Sequence, residues 1–159
     1  MAWTAALTNF ADGNTPTHTQ LNEYIANTEW LHSPPTDSYE EPGAVNFTTA
    51  STNWAQISAD FALSISVGAG AHVLAILSLV TTLAQVDIEF DGTRLGSTPA
   101  TTGAGIFGNA SSVRQAVTLC IPFFNLSAGA HTFTAVYKAT SGTATVYAES
   151  MPRFHVREL

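Results

Sequence analysis

The stretch FALSISVGAGAHVLAILSLV, residues 61–80, decides the fold. Its first seven residues alternate strictly, with Phe61, Leu63, Ile65 and Val67 on one face and small residues on the other. That is the period-two pattern of a half-buried β-strand. Gly68-Ala69-Gly70 turns the chain, and AHVLAILSLV then runs apolar on both faces, which predicts a strand central in a sheet. Outward from there, LAQVDIEF (83–90) alternates through Ala84, Val86, Ile88 and Phe90. Asp91-Gly92 follows, a strong hairpin signal because both residues tolerate the positive φ that such turns require. VRQAVTLCIPFF (113–124) alternates through Val117, Leu119, Ile121 and Phe123, and Pro122 marks this strand as an edge or its end. TFTAVYK (132–138), TATVYAES (143–150) and RFHVREL (153–159) complete the set, the last with Phe154 and Val156 opposed to Arg153, His155 and Arg157.

Seven or eight short strands at spacings of roughly 10–15 residues, joined by Gly/Ser turns, favour a two-layer antiparallel β-sandwich of jelly-roll type. The expected organisation is an N-terminal arm and helix over 1–35, a linker over 36–50 and the all-β sandwich over 51–159. With 159 residues the chain has room for one core and a short appendage. Residues 96–112, GSTPATTGAGIFGNASS, read as a long loop, and Phe107 and Asn109 are its candidate binding pair.

The single helical signal is TPTHTQLNEYIANTEWLHSPP, residues 15–35. Thr17 serves as N-cap with Gln20 three residues on, and Ser33-Pro34-Pro35 ends the helix. Leu21, Tyr24, Ile25, Thr28 and Leu31 fall along one stripe, whereas Trp30 lies on the side of Glu23 and Ala26. Two readings remain open: a helix packed on its own sandwich with Trp30 half exposed, or a helix wedged between molecules. The preceding arm carries the apolar anchors Trp3, Leu7 and Phe10 without periodic structure, and such a segment orders most readily on a neighbour.

Charged residues make up 11% of the chain, twelve acidic against five basic, for a net charge of −7. That balance argues against nucleic acid or an anionic membrane as partner. So little charge beside 45% hydrophobic residues points to a surface covered by copies of the chain or by another protein. No basic, apolar leader is visible at the N-terminus, and HVLAILSLV is too short to span a bilayer, so a soluble product made in the cytoplasm is expected.

The residues that usually carry chemistry are dispersed. His18, His32, His72, His131 and His155 show no ligand spacing, so solvated or hydrogen-bonding roles are expected and no metal or cofactor. Cys120 reads as a buried inert thiol. Glu40-Glu41 falls in the linker, and Asp87, Glu89 and Asp91 alternate with apolar partners as a solvent-facing strand side would, giving little support for a glycosidase pair. No enzyme is expected.

Trp3, Gly13 and TPTHTQLNEYIANTEWLHSPP together resemble the N-terminal segment of many tailed-bacteriophage virion proteins, with matches at Thr17, Leu21, Asn22, Leu31, Pro34 and Pro35. Gln20 replaces the usual acid there, and Ala26-Asn27 the usual Arg-Asp. NLSAGAHTFTAVYKATSGTATVYAESMPRFHVREL (125–159) is similar to the ending of many phage appendage heads. The resemblance implies a non-enzymatic virion component, a homotrimer with β-sandwich heads, whose partners are itself and the major capsid or tail proteins. The docking set would be Trp3, Leu7, Phe10, Leu21, Tyr24, Ile25, Trp30 and Leu31. The competing expectation is a tail-tip or fibre head recognising a host glycan or protein.

Overall fold

The computed structural model describes residues 18–43, 45–95, 107–108 and 111–159. Helix α1 spans His18–His32, and the strands are β1 Thr36–Glu40, β2 Phe47–Thr49, β3 Ala55–Gln56, β4 Ala62–Val67, β5 Ala71–Thr82, β6 Ala84–Phe90, β7 Thr93–Arg94, β8 Phe107–Gly108, β9 Gln115–Leu126, β10 Gly129–Ala139, β11 Ala144–Val146 and β12 Arg153–Glu158. All described pairings are antiparallel. In the first sheet β5 lies between β9 on one side and β12 and β11 on the other, and these carry β1 and β2 outside them. In the second, β10 lies between β6 and the pair β4 and β3, while β7 and β8 flank β6. The first and last strands, β1 and β12, thus pair with each other and lie beside the middle strand β5 in one layer, while β3, β4, β6, β7, β8 and β10 form the other, a jelly-roll-like arrangement as expected from the strand rhythm.

Period-two patterning places the core. Leu63, Ile65 and Val67 of β4 and Val73, Ala75, Leu77 and Leu79 of β5 point into the interlayer space and are buried, as are Ala84, Val86 and Ile88 of β6. Phe61, Phe133 and Phe154 are fully buried among them. Phe123 and Phe133 meet edge to face at 5.0 Å, a favoured aromatic geometry. Asp91 and Gly92 form a two-residue hairpin loop with φ of +48° and +74°, both in the left-handed region, so that Phe90 pairs with Thr93. Pro122 sits within β9 opposite Leu74 of β5, where its missing N–H is tolerated because β9 has no second described neighbour.

Three readings are corrected. Residues 36–50 are not merely a linker, because they contain β1 and β2, and Tyr39 and Phe47 pack edge-on against Phe61 at 5.0 and 5.7 Å. Aromatic packing across two short strands holds them to the sandwich despite the Glu41-Pro42-Gly43 interruption. Cys120 is exposed, since the alternation that buries Val117 and Leu119 turns position 120 outward. Asp87 is fully buried rather than solvent-facing, for the reason given below.

Leu77 is inaccessible at the centre of the middle strand. Leu77→Ala is expected to lower unfolding free energy by about 2–5 kcal/mol in urea titrations, through lost transfer energy and an unfilled cavity. A loss below ~1 kcal/mol would show that the core collapses around the gap.

Candidate functional site

Helix α1 begins at His18 and stops at His32, immediately before Ser33-Pro34-Pro35, where the paired prolines were expected to end it. The Ser33 N–H closes the last turn on the Glu29 carbonyl at 2.9 Å. The Pro35 carbonyl then accepts the Glu158 N–H at 2.9 Å, and the chain enters β1 beside β12. The root of the helix is therefore pinned to the last strand of the sandwich. Two clefts open there: one of about 430 Å³ lined by Glu29, Ser33, Pro35 and residues 64–66 of β4, another of about 400 Å³ lined by Ser33, Pro34, Thr36, His155 and Arg157.

Leu21, Tyr24 and Ile25 are 45, 62 and 53% exposed, so the stripe read from the sequence is an open apolar surface. They lie three and four residues apart and occupy one side of the helix. A helix of 15 residues is marginal alone in water, and helices in proteins draw most of their stability from packing an apolar face. Trp30 and Leu31 belong to the last turn of α1, but their side chains fall outside the described residues, as do Thr17 and the arm anchors Trp3, Leu7 and Phe10. Of the loop pair, Phe107 contributes its backbone to β8, pairing with Val86, while its side chain and all of Asn109 fall outside the described residues.

The outer face of the second sheet is closed by its own polar groups. Asp87 and Arg94 form an ion pair at 3.3 Å with both side chains inaccessible. The Arg94 guanidinium lies 4.3 Å from the centre of the Trp54 ring, and the Lys138 ammonium 5.1 Å from it. Burial and the neighbouring Arg94 charge hold Lys138 below its ordinary pKa. Burial likewise raises Glu89, with Arg94 opposing that rise and Asp87 adding to it. Two of the five cationic residues, far apart in sequence, thus converge on one tryptophan, and this is what removes Asp87 from water. Among the described residues no three His, Cys, Asp or Glu side chains converge as a metal site, and no helix is long and apolar enough to cross a membrane.

His131 takes the hydrogen-bonding one of the two roles expected of the histidines, and it does so buried at one end of the sandwich. Its Nδ1 lies 2.7 Å from Asp91 Oδ2 and its Nε2 3.0 Å from the Ser127 carbonyl, and the ring stacks on Phe90. Both nitrogens face acceptors, so both can donate only in the imidazolium. Burial pulls the His131 pKa down, but the Ser127 and Asp91 hydrogen bonds and the Asp91 charge outweigh it and leave the value above 6.5. Burial pushes Asp91 up, and the hydrogen bonds from His131 and the Thr132 N–H, with the imidazolium charge, carry it below 3.8. The cluster ties the 91–92 hairpin loop to the turn at 127–128.

No family model matches the chain, and no curated protein does. Among solved structures it is similar to the VP2 subviral particle of infectious bursal disease virus, with 11% identity, a TM-score of 0.39, and coverage of 79% of this chain and 37% of that one. It is also similar to the CBM36-1 domain of a multidomain xylanase from the hindgut metagenome of Trinervitermes trinervoides, with 14% identity, a TM-score of 0.36, and 76% and 95% coverage. A family 35 carbohydrate-binding module from an environmental isolate shows 17% identity, a TM-score of 0.33, and 77% and 92% coverage. The chain thus spans little more than a third of the viral protein but nearly the whole of each binding module. These likenesses carry no function over to this chain.

Two measurements check the polar clusters. Asp87→Ala leaves Arg94 charged and buried, and is expected to cost about 3–5 kcal/mol of stability by denaturant titration. For His131 the raised folded pKa means that its contribution is complete below pH 6.5, the ordinary value, and is lost as the pH rises through the folded value. Asp91, lowered beneath 3.8, contributes above that value and loses its share as the pH falls through the folded one. The melting temperature should therefore decline from mildly acidic to mildly alkaline pH, and His131→Gln should flatten that decline. An identical profile in the variant would exclude the His131–Asp91 pair as its cause.

Proposed function

We propose that this chain is a non-enzymatic structural subunit of a tailed-phage particle: a homotrimeric capsid decoration or appendage protein with a β-sandwich head. In this reading α1 meets the same helix of sibling copies through Leu21, Tyr24 and Ile25, and the arm that carries Trp3, Leu7 and Phe10 grips capsid or tail. Trp30 and Leu31 extend the docking surface. The observation that carries the reading is the open Leu21/Tyr24/Ile25 stripe on a marginal helix whose described backbone hydrogen bond to the sandwich lies at its prolyl root. Its physical basis is mass action, since a subunit that binds only the assembled shell adds its binding free energy to that shell. The low charge of the chain and the sequence resemblance of its two ends to phage virion proteins support the same conclusion. A tail-tip or fibre head that recognises a host glycan or protein is the alternative.

The test is to express the full chain and a form lacking residues 1–32 during phage assembly, then purify particles on a density gradient. The full chain is expected in the particle fraction and the truncated form in the soluble fraction, still β-rich by circular dichroism. Equal incorporation of both would refute docking through the N-terminal segment. Copy number separates the attachment sites, because a capsid lattice holds many more subunits than a tail. In the same assay Leu21→Glu with Ile25→Glu should cut occupancy strongly without changing the melting temperature of the head.

A further inference from the structure

Four of the five Lys and Arg side chains find a partner within the fold. Arg94 pairs with Asp87, Arg114 with Glu149 and Arg153 with Glu40, the last at 2.8 Å, and Lys138 lies over the Trp54 ring. Arg157 is the exception: it is exposed, and among the described residues no carboxylate stands within ion-pair distance of it. The register of β12 explains why. Arg153, His155 and Arg157 alternate onto the outer side of the first sheet, and the β1 residues beside them are Glu40, Ser38 and Thr36. Arg153 therefore meets an acid across the strand pair, whereas Arg157 meets a threonine whose hydroxyl is donated to the Val156 carbonyl at 3.1 Å. On its other side stands Leu74 of β5. The carboxylate of Asp37, the next residue of β1, is engaged elsewhere: its oxygens accept the Ser38 N–H at 2.8 Å and, from the second sheet, the Ser64 N–H at 2.9 Å.

Arg157 and His155 line the cleft of about 400 Å³ at the helix root, together with Ser33, Pro34 and Thr36. We propose that this cleft binds a carboxylate, supplied by an acidic side chain of the particle protein against which the helix root is set. The inference rests on the virion reading for the source of that carboxylate, and on the cleft alone for its chemistry. The described lining supplies donors and no acid: a forked guanidinium, an imidazole and the Ser33 hydroxyl. A guanidinium meets a carboxylate through two parallel hydrogen bonds, stronger and more directional than neutral ones. Pro34 stiffens the rim, so less conformational freedom is lost when the cleft fills. Glu29 belongs to the adjoining cleft, with residues 64–66 of β4, and leaves this one cationic. The net charge of −7 narrows the ligand further. A polyanion such as a nucleic acid is repelled by the whole molecule, whereas a single carboxylate meets one cation at short range.

Site and source are tested separately on the full-length protein. Isotopically labelled protein is titrated with sodium acetate, with sodium chloride holding the ionic strength constant, and the Nε–H signals of the arginines are followed by NMR. The Arg157 signal, assigned by its disappearance in Arg157→Gln, should shift to saturation while that of Arg153 stays in place. A shift that does not saturate overturns the site. Inorganic phosphate binding there about ten times more tightly than acetate overturns the carboxylate as its ligand. The same variants are then expressed during phage assembly. Arg157→Gln should bind particles about tenfold more weakly with an unchanged melting temperature, and Arg153→Gln should match the wild type. Equal occupancy of Arg157→Gln and the wild type overturns the particle protein as the source. A wild-type chain that stays out of particles, with acetate still bound at Arg157, counts against the virion reading and leaves the site standing.

Discussion

A strand that is apolar on both faces must be covered on both, and β5 imposes that requirement on everything around it. Its inward residues Val73, Ala75, Leu77 and Leu79 are met by the second sheet, which removes them from water and supplies much of the folding free energy. Hydrogen bonding on both long sides, to β9 and to β12 and β11, fixes it in the middle of its layer. Among the described residues the outward side of β5 has no second layer packed over it. Folding therefore removes the inward half from water, while the outward Leu74, Ile76 and Val80 stay half-buried.

The outer face of the second sheet and one end of the sandwich show how polar groups are used where they do enter. Asp87 and Arg94 are removed from water together, and the aromatic ring of Trp54 supports the cation with its π face. Removing two charges from solvent contributes little net stability when the pair is intact, so its effect is to fix which residues occupy that face. At His131 the demand is for a proton, since two acceptors converge on one imidazole. Both clusters tie β6 or the turn after it to β10, and so brace the second sheet against distortion.

Much of this architecture was legible from periodicity. Phe61, Leu63, Ile65 and Val67 announced β4, Asp91-Gly92 announced its hairpin, Pro122 announced an edge, and Ser33-Pro34-Pro35 the end of α1. Residues 36–50 escaped because Tyr39 and Phe47 are isolated aromatics in a polar, proline-bearing stretch, which becomes strand by pairing with β12 and β11, distant in sequence, and by packing both rings on Phe61. Asp87 and His131 escaped because burial of a polar group depends on partners distant in sequence, Arg94, Asp91 and Ser127, which no local pattern connects. Cys120 was misplaced by its apolar neighbours, although the alternation of Val117 and Leu119 already pointed it outward. The stripe Leu21, Tyr24 and Ile25 was readable from helical spacing alone. The open side of β5 was not, because a doubly apolar run ordinarily signals a strand covered from both sides.

Pro122 carries a consequence for how such an assembly can grow. An outermost strand normally presents a row of amide donors able to template a further strand, and repetition of that step yields fibres. With an imide nitrogen in the middle of that row and a bulge at its far end, β9 is a poor template. A rim broken in this way gives a further strand few donors to pair with, so edge-to-edge growth of the first sheet into a fibre is blocked on that side.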